Sequence, residues 1–199
     1  MKYFFQSLLF AMLSTFSSAT LSTNDSNEAL IVEFPWPENV PCQGCLAIIN
    51  GWLSFDFPRS NIKEIRVNEM TLNITLNTKN KNEHLVIIEM DETKITGGMN
   101  TKLYKKIGVT NYQEFMDKIG TVDKNNEALI IARKVMAIDR ARDYIKYKKG
   151  DILAYWVNVI DDDISRTLYV FNPKDNKMFL ISGGMSQERV NLILNSLEL

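Results

Sequence analysis

The chain has 199 residues, 45% hydrophobic and 24% charged, with 23 Lys and Arg against 24 Asp and Glu. A formal charge of −1 supplies no basic surface for nucleic acid or an anionic membrane, and two cysteines are too few for a disulfide-built scaffold. The apolar content is ample for a core.

Residues 1–19 read as a secretory leader. Lys2 supplies the positive start, residues 4–16 are largely apolar, and Ser17-Ser18-Ala19 places small residues where a signal peptidase cuts. The run is too short and serine-rich to span a bilayer, and no later segment reaches the roughly 18 apolar residues a span needs. No Cys follows it to carry a lipid anchor. The expected product is exported, periplasmic or secreted, and starts near Thr20 with a flexible polar stretch over residues 20–28. Asn24-Asp25-Ser26 and Asn73-Ile74-Thr75 match the glycosylation sequon, which matters only in a eukaryotic host.

Ala29-Leu30-Ile31-Val32-Glu33-Phe34 is a β run stopped by Pro35 and Pro37. Residues 45–55 read as a helix, since Leu46, Ile49, Trp52 and Leu53 fall at helical spacing and Pro58 lies beyond. Residues 62–67 and 72–76 alternate apolar and polar, a hairpin around Asn68-Glu69. Residues 84–92 fit a helix through Leu85, Ile88 and Glu92, or a strand through Val86-Ile87-Ile88. Residues 94–96 suit a short strand stopped by Gly97-Gly98, and the polar run 99–106 marks a boundary.

Residues 111–119 and 125–147 read as helices, the longer one ended by Gly150. Residues 152–160, 167–171 and 178–182 form a three-strand meander, with turns at Asp161-Asp162-Asp163 and residues 172–176. Ser186 caps a last helix that buries Val190, Ile193, Leu194 and Leu197.

The chemistry concentrates in Pro41-Cys42-Gln43-Gly44-Cys45, which holds both cysteines. Such a pair exchanges electrons, grips a soft metal or closes a small structural disulfide. With Cys45 in the first turn of a helix, the helix dipole would favour a thiolate, and Gly44 would let backbone pass close to an ion or a partner sulfur.

Residues 29–98 resemble a heavy-metal-associated domain, the ferredoxin-like βαββαβ module of small copper chaperones and periplasmic mercury-binding proteins. Ile31-Val32-Glu33-Phe34 matches its first strand, and Cys42-Gln43-Gly44-Cys45 opens its first helix. Ile62-Lys63-Glu64-Ile65-Arg66-Val67 and residues 72–76 match the next strands, residues 83–92 the second helix and Ile95 the last strand. Val40 stands where the family has a Met. The resemblance implies that Cys42 and Cys45 ligate a soft metal, Cu(I) above others, with Val40 as a hydrophobic plug and a metal-donor protein as partner.

The chain also resembles thioredoxin-fold proteins of the DsbA type, with residues 30–34 before the Cys pair and residues 167–197 as the closing hairpin and helix. That likeness implies a thiol-disulfide oxidoreductase with an inserted helical domain, a thiol partner, Cys42 as nucleophile and Cys45 as resolving residue. Arg166 occupies the place of its cis-proline.

Elsewhere His84 reads as an exposed bystander, Asp161-Asp162-Asp163 as a solvated turn rather than a calcium loop, and Met70, Met90, Met99, Met178 and Met185 as packing residues. Trp36, Trp52, Tyr155 and Trp156 read as core or rim aromatics. No phosphate loop, Gly-x-Ser-x-Gly elbow or His-Glu-x-x-His occurs. The expectation is a two-part α+β chain, ferredoxin-like over 29–98 and helix–meander–helix over 99–199, that captures Cu(I). A thioredoxin-like oxidoreductase and a non-catalytic binding module with a structural disulfide are the alternatives.

Overall fold

The computed structural model describes residues 30–38, 40–69, 71–78, 83–91, 100–160, 165–172 and 177–198. The expected leader, residues 94–98, the Asp161-Asp162-Asp163 turn, Met70 and Met99 lie outside them.

The fold is mixed α and β. Among the described residues ten strands run β1 Ile31–Pro35, β2 Cys45–Asn50, β3 Leu53–Pro58, β4 Ile62–Val67, β5 Thr71–Leu76, β6 His84–Asp91, β7 Ala141–Lys149, β8 Ile152–Val159, β9 Arg166–Asn172 and β10 Lys177–Gly183. Helices are α1 Asn100–Ile107, α2 Tyr112–Ile119, α3 Glu127–Val135 and α4 Gln187–Asn195. Eight strands form one sheet in the order β1-β7-β8-β9-β10-β6-β5-β4, antiparallel except where β1 joins β7 in parallel. The other two, β2 and β3, form a separate hairpin.

Strand β8 shows how the sheet is held. Leu153, Tyr155 and Val157 point into a core shared with α1, α2 and α3. Ala154 and Trp156 point the other way, into a core shared with the hairpin and α4. Period-2 alternation thus buries both faces, which is why β8 and β9 read as nearly unbroken apolar runs. At the β5 end only one face is apolar: Leu72, Ile74 and Leu76 are buried, while Thr71, Asn73 and Thr75 alternate on the other side.

The helical layer is tied down by polar contacts. Asn111 and Asn126 cap α2 and α3, accepting from Glu114 N and Leu129 N. Tyr144 OH donates to Met116 O and Tyr155 OH to Asp117 Oδ1, both at 2.8 Å. Lys146 Nζ completes the Asp117 contact at 2.8 Å. The buried Arg133 donates to Ile119 O and Thr121 O at the end of α2.

Four expectations change. Residues 45–55 are not a helix but β2, a two-residue loop and the start of β3, because Leu53, Phe55 and Phe57 alternate into the core and Gly51 takes φ +61° in that loop. Residues 83–92 do not supply a second helix: His84–Asp91 is β6, paired with β5 and β10. The helix over 125–147 stops at Val135, where Ala137 turns left-handed at φ 55°, and Ala141–Lys149 becomes β7 because β1 and β8 claim its backbone. The polar run 99–106 contains most of α1, held by buried Tyr104 and Ile107. The ferredoxin-like order is therefore not formed by residues 29–98, and no thioredoxin-type helix follows the cysteines. The β1, β4–β5 and β8–β10 strands and helices α2 and α4 fall where the sequence places them.

The two parts expected at 29–98 and 99–199 share the sheet, through β1 with β7 and β6 with β10. A chain of residues 20–98 is expected to give a collapsed amide NMR spectrum, since Leu85 and Ile87 would lose β10 and its core. A dispersed spectrum would sink the shared-sheet account.

The buried tyrosines set an alkaline limit. Burial raises the phenols of Tyr144, Tyr112, Tyr155, Tyr169 and Tyr147 above the ordinary 10.0. A phenol raised in the fold contributes stability that is fully present below its unfolded value and lost as pH rises through the folded one. Denaturant midpoints should hold steady up to about pH 10 and fall beyond it, with the phenolate absorbance of these five residues appearing only as the chain unfolds. Midpoints that stay level well above that pH would contradict the assignment.

Candidate functional site

The two cysteines are joined. Cys42 and Cys45 form a disulfide across the turn Gln43-Gly44, with their Cα atoms 5.6 Å apart. Gly44 takes φ +73°, a conformation only glycine adopts without strain, and its carbonyl accepts from Arg59 N at 3.2 Å. Both cysteines are half-buried, while Gln43 and Gly44 are exposed. Cys45 begins a strand rather than a helix, so no helix dipole acts on its sulfur.

The turn belongs to the hairpin. Ile48 of β2 and Leu53, Phe55 and Phe57 of β3 are buried against the sheet. Trp52, in the loop, lies 4.4 Å from the ring of Phe179. Just upstream of the cysteines, Trp36 Nε1 donates to Leu194 O at 2.8 Å, and Lys149 Nζ sits 5.8 Å over the same ring. These anchors fix where the chain leaves β1 and where β2 starts.

The four sequence-exposed strand edges are managed unequally among the described residues. On β1, Ile31 N donates outward to Gly120 O at 3.1 Å and Pro35 has no N–H to offer. On β4, a register shift between Ile62 and Glu64 breaks the ladder, and Lys63, Glu64 and Arg66 are exposed. On β3, Ser54 exchanges two backbone bonds with Glu198, and Asp56 N donates to Ser196 Oγ at 2.8 Å. The outer edge of β2 has no such cover. It presents Leu46 at 41% and Ile49 at 67% exposure, with Ala47 exposed between them.

A second signal marks the same place. Residues 39–55 contain no charged side chain, in a chain where 24% of residues are charged. That absence was the available sequence cue to an interaction edge, together with Asn50-Gly51 before Leu53-Ser54-Phe55-Asp56-Phe57 as the cue to a hairpin.

Other sequence candidates stand apart from the cysteines. His84 is exposed at the start of β6, and its Nδ1 lies 3.2 Å from Thr75 Oγ1. It borders a depression of about 470 Å³ with Val86, Leu180 and Ser182, where Ser182 Oγ is bonded to Thr167 Oγ1 at 3.1 Å. Val40 is 63% exposed, so it plugs nothing. Met178 and Met90 are cross-strand partners that pack with the helical core, and Met185 is buried on the hairpin side of the sheet. Trp156 and Tyr155 are core residues on opposite faces. Among the described residues no group of three or more His, Cys, Asp and Glu is arranged to hold a metal. No helix there is long and apolar enough to cross a membrane.

Comparison with protein-family models and with curated proteins finds no match.

If the hairpin is held by its buried face alone, the two faces should answer differently to substitution. Phe55→Ala is expected to cost about 3–5 kcal/mol in chemical denaturation. Ile49→Ser, on the exposed face, should change stability by no more than about 0.5 kcal/mol. Equal losses would mean that Ile49 is already covered within the monomer.

Proposed function

We propose that this protein is an exported binding module without catalytic chemistry. In this reading the Cys42–Cys45 disulfide is structural, and the uncharged outer edge of β2 takes an extended segment of a partner polypeptide. The observation that carries the proposal is the contrast between β2 and the other three edges, each of which is blunted by a proline, a bulge, charges or a covering segment. Native proteins rarely leave a flat apolar edge open unless it is used. Strand addition of this kind draws its affinity from main-chain hydrogen bonds, with side chains on alternate positions setting preference.

The disulfide suits that role. It closes a ring with a sequence separation of only 3. Chain entropy gives such a ring about 2 kcal/mol, enough to hold a local shape but not to hold the fold. A fixed turn keeps the start of β2 ordered before a partner arrives, which lowers the entropy lost on binding. Soft-metal capture would need these sulfurs as thiolates, and the joined pair offers none. The helix N-terminus that would have favoured thiolates is also replaced by a strand.

Alkylation of the unreduced protein is expected to label no thiol. The Cys42→Ser/Cys45→Ser variant should fold with a loss of about 2 kcal/mol. The protein purified without reductant should show no tight Cu(I) uptake against a chelator, and no turnover of a disulfide substrate. Two free thiols with one Cu(I) bound per chain would restore the metal reading, and turnover dependent on Cys42 would establish the redox one.

A further inference from the structure

We infer that the strand received by β2 is β2 of a second copy of this chain, an inference that rests on the strand-addition reading above. An isologous contact sets a surface against itself, so any charge near the two-fold axis meets its own copy. The β2 edge meets that requirement without adjustment. No charged side chain occurs between residues 39 and 55. The blunted β4 edge, by contrast, carries Lys63, Glu64 and Arg66 along an irregular ladder, so a second copy would meet charges there in any register.

The pleat selects the register. Two edges that continue one sheet about an axis normal to it must pair residues of the same face. Pairing centred on Ala47 puts that exposed small residue against its own copy, where the two backbones approach with least obstruction. Leu46, which lies on the core-facing side with Ile48, then meets Ile48 of the second copy. Ile49 on the outer side meets Cys45. Leu46 and Ile49 are the two large apolar side chains left exposed on this strand, at 41% and 67%, and this register covers both. It turns two separate hairpins into one four-stranded antiparallel sheet.

The arrangement makes a charge-swap test possible. The full chain should sediment as a dimer in the micromolar range. Ala47→Glu and Ala47→Lys should each raise the dimer dissociation constant at least about tenfold, because like charges would meet at the axis. Mixing the two variants should restore association, which a merely misfolded hairpin would not do. Val67→Lys on β4 and Val135→Lys on α3 should leave the dimer unchanged.

A chain that stays monomeric across that range overturns the inference, as does a dimer insensitive to both Ala47 variants or a mixture that does not recover. A monomer whose β2 amides resist hydrogen exchange also overturns it, in favour of a segment of the same chain lying on the edge. For an exposed, monomeric β2, titration with a neutral Val/Thr peptide separates the two readings. Binding that is lost in Ala47→Pro keeps strand addition and removes only the second copy; no binding removes both.

Discussion

Two-sided burial of the central strands is the constraint on which the rest of this structure depends. Trp156 and Tyr155 are neighbours in β8, are both almost fully buried, and point into different cores. A strand in that position needs a layer on each face, or several large aromatic surfaces stand in water at roughly 1.5–3 kcal/mol per side chain. The chain supplies α1, α2 and α3 on one face, and the hairpin with α4 on the other. Three of the buried phenols find partners in the covering layers: Tyr144 on Met116 O and Tyr155 on Asp117, both of α2, and Tyr147 with Gln187 of α4.

The hairpin follows from that constraint. It covers the sheet through Ile48, Leu53, Phe55 and Phe57, so its buried face is fixed by packing. Its outer strand is left with nothing to pair with among the described residues. The Cys42–Cys45 disulfide sits where this strand begins. The reactive-looking motif of the sequence thus marks the end of a structural element, and the surface beside it is the one that carries the proposed function.

Much of the architecture was legible in the sequence. The alternation in residues 62–76 and 152–182, the Pro35 stop after β1, and the Asn111 and Ser186 caps are local signals, and local signals survive folding when nothing competes. The errors share one cause. Leu46, Ile49, Trp52 and Leu53 satisfy a helical period, but Leu53, Phe55 and Phe57 satisfy a strand period, and only a sheet to pack against decides between them. The Ala141–Lys149 segment likewise carries Ala141, Tyr144 and Ile145 at spacings open to either form, until β1 and β8 supply backbone partners on both sides.

The sequence by itself determined that the chain has an ample core, near-neutral charge, a meander followed by a capped helix, and one Cys-x-x-Cys turn. Tertiary structure alone decided what that turn is part of. Whether Cys45 opens a helix or a strand depends on residues distant in the chain, since Phe179, Leu194, Ser196 and Glu198 are what hold the hairpin in place. Those contacts span some 120–160 positions, and no local pattern encodes them, because hydrophobic burial rewards any backbone form that brings apolar side chains to the same surface.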